Sequence, residues 1–469
     1  MSERKKILIL GNGFDLAHFL PTKYEHFITA MRAVEDADSN EHLLFDNIFH
    51  ELLASENFFL NRTKEMYKTE DVKISVENLI LLKEKLSNNG WFQYFKDYLD
   101  SGIDTWIDFE NEIKNVLDIV CSVLDKNSDK NEMIDIKYYG SDLNIIADEF
   151  FEDFNTNKNH YLNVLLKLGI LRNTYIYEDE GNFIEVNKFG FDDMNQQYGY
   201  DPLTGFGRPS PAFEELSLND DYVKKYKGKT TGVHIYKVIE NMNYHLSSFI
   251  DIFSRYIELV ESLVPRSKLQ RPKALCNLDD IYSFNYSSTT SRLYETAHQN
   301  FLHGKAGADN IVLGISELEN ELLVNQKAYG FVKYYQKLVN DTNYKFLSGN
   351  QSLNILERNT RDDTNYMLAK PYEVYIWGHS LDSSDSDYIK EIFSFNKTVR
   401  VSVYLIVYYF PSPHAQLANL ISIMGKDIIE MWMKKGWLEF VEAPDIYALN
   451  STEGYVDKLS KYSEGGIFA

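Results

Sequence analysis

Hydrophobic and polar positions divide the chain into two kinds of region. Residues 6–10 (KILIL) form a short, almost wholly apolar run, which is typical of a strand buried on both faces of a parallel sheet. From about residue 25 to about residue 170 apolar positions recur at helical spacing, as in VENLILLKEKLSN and FENEIKNVLDIVCSVL. The same spacing predicts the longest helix within 230–264, and residues 173–190 predict a hairpin that turns near Asp179.

Short apolar segments take over after residue 275. The predicted strands are 280–285, 301–304, 310–315, 373–380, 399–409 and 438–443, and helical segments separate several of them. This alternation predicts an α/β fold with a doubly wound, Rossmann-like parallel sheet. The first strand has no partner for over two hundred residues. We therefore predict a discontinuous nucleotide-binding core made of residues 1–30 and 275–469, with residues 31–274 as a mostly helical insertion.

Composition narrows the classes of function. A chain of 469 residues, 44% of them hydrophobic, can bury a large core. The net charge of −22 argues against broad electrostatic binding of nucleic acid, which needs clustered Lys and Arg. Two cysteines and no His/Cys cluster predict neither a zinc site nor a disulfide framework, and no metal is assigned. The longest apolar run, 401–410, is too short for a membrane span, so we expect a cytoplasmic protein.

The first candidate site is Gly11-Asn12-Gly13, where the first strand runs into a helix. Glycines at such a turn allow a pyrophosphate to approach the backbone, and Asp15 follows just inside the helix. Leu16 stands where the dinucleotide fingerprint has its third glycine, so a simple tight turn is an equal alternative. Asp15 in turn is also explained as a residue that satisfies the helix N-terminus.

Two further candidates lie at strand ends. Asn285 follows a buried strand, at the edge where open α/β sheets bind ligands, although capping of the next helix explains it equally well. His303 ends another short strand and precedes Gly304, which we expect to leave room for a substrate. The remaining histidines are interpreted as structural or surface residues.

A second glycine turn lies near the end of the chain. Residues 373–393 contain a strand that leads into a Gly-His-Ser turn, which favours an anion, and then into a Ser/Asp loop. The turn supplies the candidate ligand-binding residues Gly378, His379 and Ser380. The acidic residues of the loop, for which a metal, a ribose or no ligand are all open, are Asp382, Asp385 and Asp387. Capping of the following helix by Ser384 or Asp385 is the default interpretation.

Residues 104–113 (DTWIDFENEI) belong to the predicted insertion. Phe109 is expected to be a core residue. The carboxylates Asp108, Glu110 and Glu112 are expected on a solvated face, and Glu110 is the one retained as a candidate.

Four segments together resemble the AbiH family of bacteriophage abortive-infection proteins. They are LILGNGFDLAHFLPTKYEHF, WIDFENEI, YSFNYSSTTSRLY with the following FLHG and IVLGI, and YIWGHSLDSSDSDYIKEIF. More distantly, the same core is similar to sirtuin-like proteins. That similarity implies NAD⁺ as ligand or substrate, Gly11 and Gly13 at its pyrophosphate, Asn285 on the nicotinamide side and His303 as the base. It also implies that Gly378 and Ser380 contact the adenosine ribose.

The chain departs from the sirtuin pattern in ways that bear on function. Asn12 replaces the small residue between the two glycines, and Ser287 stands where an acidic residue is expected. The cysteines of a sirtuin zinc ribbon are missing, which argues against deacetylation.

Three functions remain open at this point. The first is a phage-defence enzyme that hydrolyses NAD⁺ or a related nucleotide at the N-glycosidic bond, with His303 as base and Asn285 orienting the ribose or water. The second is a non-catalytic nucleotide sensor, and the third is a nuclease that uses Asp382, Asp385 and Asp387 with Mg²⁺. The resemblance leaves open a phage-encoded trigger, a partner subunit or a homo-oligomer.

Overall fold

The computed structural model describes residues 5–55, 57–98, 106–128, 135–138, 158–179, 182–187, 213–227, 229–295, 299–342, 346, 372–398 and 403–451. The strands are β1 (Lys5–Leu10), β2 (Leu43–Leu44), β3 (Lys73–Ile74), β4 (Asp135–Tyr138), β5 (Leu171–Asp179), β6 (Asn182–Asn187), β7 (Phe213–Leu218), β8 (Val223–Tyr226), β9 (Lys229–Val233), β10 (Asp280–Ser283), β11 (Gln299–Phe301), β12 (Tyr372–Trp377), β13 (Val403–Tyr409) and β14 (Leu438–Glu442).

The α-helices follow the same chain order. They are α1 (Asn12–Ala17), α2 (Tyr24–Asp36), α3 (Phe45–Ile48), α4 (His50–Ser55), α5 (Asn57–Met66), α6 (Val76–Ser87), α7 (Gly90–Tyr98), α8 (Trp106–Ser128), α9 (Lys158–Lys167), α10 (Ile235–Glu261), α11 (Thr289–Tyr294), α12 (Glu321–Asn325), α13 (Lys333–Val339), α14 (Ser386–Thr398), α15 (His414–Met424), α16 (Lys426–Lys434) and α17 (Ile446–Asn450). Within the described ranges, no helix is both long enough and apolar enough for a membrane span.

The largest sheet has six parallel strands in the order β11-β10-β1-β12-β13-β14. Strand β1 pairs with β10 on one side and with β12 on the other, so the first strand does join strands that lie beyond residue 275. This part of the sequence prediction is confirmed. Along the chain, β10 and β11 are added on one side of β1, and β12, β13 and β14 are then added on its other side. The order of strands therefore reverses between β1 and β12.

Strand β1 is buried on both faces, as its apolar run predicts. Leu8 and Leu10 pack into the hydrophobic core that also contains the helices between β1 and β10. Ile7 and Ile9 point the other way, into a second core with residues of α14 and α16. The alternation follows from the two-residue period of a strand, and it fixes the sheet as the middle layer.

The segment between β1 and β10 contains most of the described helices and also a four-stranded antiparallel sheet, in the order β4-β7-β5-β6. The hairpin predicted within 173–190 is formed by β5 and β6, with Asp179 opposite Asn182. Helix α2 runs through residue 30, so the boundary drawn there between core and insertion falls inside a helix.

Helix α10 attaches this segment to the core. Its apolar positions recur every three or four residues and are buried, from Val238 to Val260. The Tyr256 hydroxyl donates a 2.5 Å hydrogen bond to the carbonyl oxygen of Pro21, in the stretch that follows α1. The ring of Phe249 stacks on Phe109 of α8, with centroids 5.2 Å apart, so Phe109 is a core residue as expected.

One predicted strand is wrong. Residues 310–315 form no strand, apart from a single bridge between Ile315 and Val332. The Gln336 side chain accepts from the Leu313 N–H and donates to the Leu313 carbonyl, each at 2.9 Å, and thus replaces a neighbouring strand. The strand predicted at 301–304 ends at Phe301, which leaves His303 in the loop beyond it.

Candidate functional site

A cavity of about 340 Å³ lies at the carboxyl ends of β1, β10 and β12. It spans the point between β1 and β12 where the order of strands reverses. The sequence-predicted site residues that line it are Gly11, Asn12, Asp15, Asn285, His303, Gly378, His379 and Ser380. Gly13, the remaining one, is not among the residues that line the cavity. Residues far apart in sequence thus meet in one cavity, because the strands that carry them are parallel and adjacent.

The Asp385 carboxylate lies between two imidazoles. Its Oδ1 is 3.2 Å from Nε2 of His303, and its Oδ2 is 3.3 Å from Nε2 of His379. His379 Nδ1 accepts from the Leu381 N–H at 2.8 Å, so the proton of a neutral His379 sits on Nε2 and faces Asp385. The ring of Phe284 packs edge-on against both imidazoles. Asp385 therefore touches both histidines of the cavity and caps no helix, which overturns the default interpretation of that residue.

The contact between His303 and Asp385 is close but is not aligned as a hydrogen bond. In the described part of the chain, neither His303 Nε2 nor Asp385 Oδ1 has a hydrogen-bond partner. Such contacts commonly tighten when a ligand binds.

Burial keeps the imidazole of His303 neutral, and the groups around Asp385 keep its carboxylate ionised. Burial and the Lys337 ammonium lower the pKa of His303 to about 3, although Asp385 acts in the opposite direction. Burial works against ionisation of Asp385, but its contacts with His303 and His379 and the positive charge of Lys333 hold its pKa well below the ordinary value. The imidazole is therefore in the form that accepts a proton, but a pKa of about 3 makes it a weak base, so proton transfer to His303 depends on the carboxylate to stabilise the imidazolium.

Asp15 lies in the first turn of α1, where a carboxylate is favoured by the helix N-terminus, but it forms no capping hydrogen bond there. Its Oδ2 accepts a 2.5 Å hydrogen bond from the Ser287 hydroxyl. Burial raises the pKa of Asp15 to about 6, against the hydrogen bonds of Ser287, Thr289 and Asn285. An acidic group from α1 thus stands beside Ser287, the position where the sequence lacks one. Asn285 does not cap α11 either, since Ser288 takes that position.

The turn at Gly11-Asn12-Gly13 differs from the expected pyrophosphate site. The N–H of Gly11 donates to the carbonyl of Trp377 at 3.0 Å, and the N–H of Gly13 donates to that of Gly378 at 2.8 Å. These two amides are therefore engaged and do not point at a pyrophosphate. A Cβ on Gly13 would lie 2.8 Å from the Gly378 Cα, so the glycines are needed for contact between the two turns.

The backbone conformation at position 304 also requires a glycine. Its φ is +82°, and an added Cβ would lie 2.0 Å from the carbonyl oxygen of Asn310. The residue after His303 thus permits a turn and a close approach of two chain segments, and the room expected for a substrate is taken by the 310–311 backbone.

Helix α8 supplies a further carboxylate to the cavity. Glu110 Oε1 lies 2.6 Å from Nζ of Lys333, and the two side chains are 12% and 6% exposed. Glu112 is also buried and accepts a 2.5 Å hydrogen bond from the Tyr94 hydroxyl. The expectation of a solvated face is therefore wrong for both glutamates. Burial raises the pKa of Glu110 to about 7, although Lys333 opposes the rise.

Sequence analysis missed the lysines of α13. Lys333 and Lys337 share one face of the helix and are buried, whereas Tyr334 is 61% and Val339 is 64% exposed. This arrangement inverts the usual amphipathic pattern. The buried carboxylates Glu110 and Asp385 explain it, because they lie in the electrostatic environment of both lysines.

The three acidic residues of the loop after β12 do not converge. Asp382 accepts from the Ser384 N–H at 3.0 Å, Asp385 faces the histidines, and Asp387 is exposed. Among the residues that the structure describes, no group of three or more His, Cys, Asp or Glu side chains is arranged to hold a metal ion.

Comparison with known proteins gives one family. Residues 206–408 match the model of the family described as "Bacteriophage abortive infection AbiH". This stretch includes Asn285, His303, Lys333 and Asp385, and ends within β13. No curated protein matches the chain significantly. No solved structure does so either.

Proposed function

We propose that the chain is a phage-defence enzyme that binds NAD⁺ or a related nucleotide in the cavity and hydrolyses its N-glycosidic bond. The match of residues 206–408 to the AbiH family supports the role in abortive infection. The chemistry rests on one observation above all, the contact of His303 with the ionised Asp385 inside the cavity.

The order of strands supports a nucleotide as ligand. If the six strands of the sheet are renumbered in chain order, they lie side by side as 3-2-1-4-5-6. In dinucleotide-binding folds with this order, the ligand binds where the strand order reverses, between strands 1 and 4. The cavity lies at that point, between the turns that follow β1 and β12. Its volume of about 340 Å³ suits the ribose and base of a nucleotide.

Two buried oxygens in the cavity wall favour binding of the ribose of a nucleotide over binding of its phosphate. Asp15 Oδ1 and Asn285 Oδ1 have no hydrogen-bond partner in the described part of the chain, and both residues line the cavity. Unpaired buried acceptors cost about 1–3 kcal/mol each, so a ligand that brings O–H or N–H groups gains from pairing them. The hydroxyls of a ribose are donors of this kind, whereas a phosphate offers only acceptors.

His303 is the base in this proposal. With Nε2 turned toward Asp385, Nδ1 is the nitrogen left to take a proton from the attacking water. Asp385 then balances the charge of the imidazolium. Cleavage of an N-glycosidic bond passes through an oxocarbenium-like transition state, which the neighbouring carboxylates stabilise.

The test is release of nicotinamide. Purified protein is incubated with NAD⁺, with and without lysate of phage-infected cells, for wild type, His303→Gln and His50→Gln. His50 lies on the surface in α4 and serves as the matched control. We expect wild type and His50→Gln to release nicotinamide, and His303→Gln to be slower by about 10²–10⁴-fold. Equal rates for the two variants would contradict the assignment of the base.

A sensor that binds the nucleotide without cleaving it is the second candidate. It is favoured by the imperfect alignment of His303 with Asp385, which a binding site tolerates and a general base must correct. A sensor binds NAD⁺ and leaves it intact under all conditions of the same assay.

A further inference from the structure

We propose that Asp15 and Asn285 select nucleotides whose ribose carries free hydroxyls at both C2′ and C3′, so that the cavity discriminates against deoxyribonucleotides. The inference rests on the proposed function and names its substrate class. The selected compounds are ribonucleotides with an unmodified 2′,3′-diol on the sugar whose bond to the base is cleaved. Asp15 and Asn285 are specificity-determining residues in this proposal.

The two residues come from neighbouring elements of the sheet. Asp15 lies in α1, which follows β1, and Asn285 follows β10, the parallel neighbour of β1. Both line the cavity, and they are only 2% and 5% exposed. Burial raises the pKa of Asp15, and a hydrogen bond from the Asn285 side chain is among the contacts that oppose the rise. Because only the amide nitrogen of Asn285 can donate to a carboxyl, its Oδ1 remains an acceptor.

Neighbouring serine hydroxyls hold both residues in place. Ser287 donates to Oδ2 of Asp15, and the Ser283 hydroxyl accepts from the Asn285 N–H at 3.1 Å. Asp15 Oδ1 and Asn285 Oδ1 are left without a hydrogen-bond partner among the residues that the structure describes. Two buried acceptors are thus fixed beside each other before a ligand binds. A ribose carries two O–H donors on adjacent carbons, which matches this arrangement.

Discrimination follows from what an analogue leaves unpaired. A ribose offers an O–H group to each acceptor, whereas a sugar that lacks one hydroxyl covers an acceptor and leaves it without a partner. A site built to hydrogen-bond a substrate hydroxyl therefore rejects the analogue that lacks it much more strongly than a site that only excludes bulk. In glycoside cleavage, hydrogen bonds to the 2-hydroxyl also strengthen in the transition state.

The experiment is a cycle that removes a hydroxyl from the ligand and an acceptor from the protein. The full ligand is an analogue of NAD⁺ in which a carbon–carbon bond joins benzamide to the ribose, so that it cannot be hydrolysed. Two further ligands lack the 2′- or the 3′-hydroxyl of that ribose. Calorimetry at pH 8 gives the Kd of each ligand for wild type, Asp15→Ala and Asn285→Ala. Asp46→Ala and Asn47→Ala, two exposed positions of α3, are the matched controls.

We expect the loss of either hydroxyl to weaken binding at least tenfold for wild type and for both controls. Asp15→Ala and Asn285→Ala should each bind the full ligand more weakly than wild type does. Each of them should also reduce the effect of one missing hydroxyl to less than threefold, because the acceptor that this hydroxyl pairs with is gone.

Three results overturn the inference. Equal affinity of wild type for the three ligands refutes it and leaves the proposed function standing. Discrimination that persists in both Asp15→Ala and Asn285→Ala refutes the assignment of these two residues. Absence of binding of the full ligand to wild type refutes the inference, and release of nicotinamide from NAD⁺ then decides the proposed function separately. If either variant fails to fold, the comparison of the three ligands on wild type is the deciding measurement.

Discussion

Replacing Asp15 with Asn removes a buried carboxyl from the cavity wall while keeping its size. The residue is 2% exposed, and burial raises the pKa of its carboxyl from 3.8 to about 6. Because the folded protein holds this proton more tightly than the unfolded chain, the stabilising contribution is complete below pH 3.8 and is lost as the pH rises through about 6. The variant should therefore lose part of the dependence of stability on pH.

The size of the effect follows from the pKa values. A rise from 3.8 to about 6 corresponds to about 3 kcal/mol of folding free energy once the group is ionised in both states. Roughly half of this accumulates between pH 5 and pH 8. The hydrogen bond from Ser287 becomes a bond to a neutral amide, at a cost of about 1 kcal/mol at any pH. The net expectation is a gain of about 1–2 kcal/mol for Asp15→Asn at pH 8 and little change at pH 5.

Urea unfolding at several pH values measures the difference. Wild type, Asp15→Asn and Asp46→Asn are compared, because Asp46 is an exposed carboxylate in α3. Asp46→Asn should follow the wild-type dependence on pH, and Asp15→Asn should be flatter by about 1.5 kcal/mol between pH 5 and pH 8. A parallel dependence for wild type and Asp15→Asn would show that burial does not hold a proton on this carboxyl.

Three shorter predictions follow from the same contacts. Gly13→Val should lower the thermal midpoint and the yield of folded protein, because the added Cβ would lie 2.8 Å from the Gly378 Cα. A variant that folds normally and only binds nucleotide more weakly would contradict this. Glu112→Gln should cost about 1–3 kcal/mol in urea unfolding, through its buried bond to the Tyr94 hydroxyl, and leave nicotinamide release within twofold of wild type. Asp385→Asn should slow nicotinamide release by about 10²-fold or more, and the Kd for NAD⁺, measured by calorimetry, should change less. An unchanged rate would remove Asp385 from the mechanism.

The sequence predicts the position of the cavity because that position depends on local patterns. An apolar run such as Lys5–Leu10 identifies a buried strand, and parallel strands bring their carboxyl ends to one edge. For this reason Gly11, Asn285, His303 and Gly378 meet, although hundreds of residues separate them. Their roles toward a ligand stay predictions.

The remaining contacts depend on tertiary packing and leave little trace in sequence. Lys333 and Lys337 have the composition of an exposed helix face, and only the buried carboxylates opposite them reverse it. Asp385 has the position of a helix cap and instead lies between two imidazoles. The signal in the sequence is the spacing in KYYQK, which puts two lysines on one helix face and two tyrosines on another.

We propose that the cavity holding His303 and Asp385 destroys NAD⁺ during infection. The most direct measurement is the NAD⁺ content of infected cells that carry wild type, His303→Gln or His50→Gln, together with plaque formation. NAD⁺ should fall at least tenfold, and plaques should be suppressed, with wild type and with the exposed control His50→Gln. His303→Gln should spare NAD⁺ and lose protection. Full protection by His303→Gln, or protection by wild type with NAD⁺ unchanged, would contradict the account.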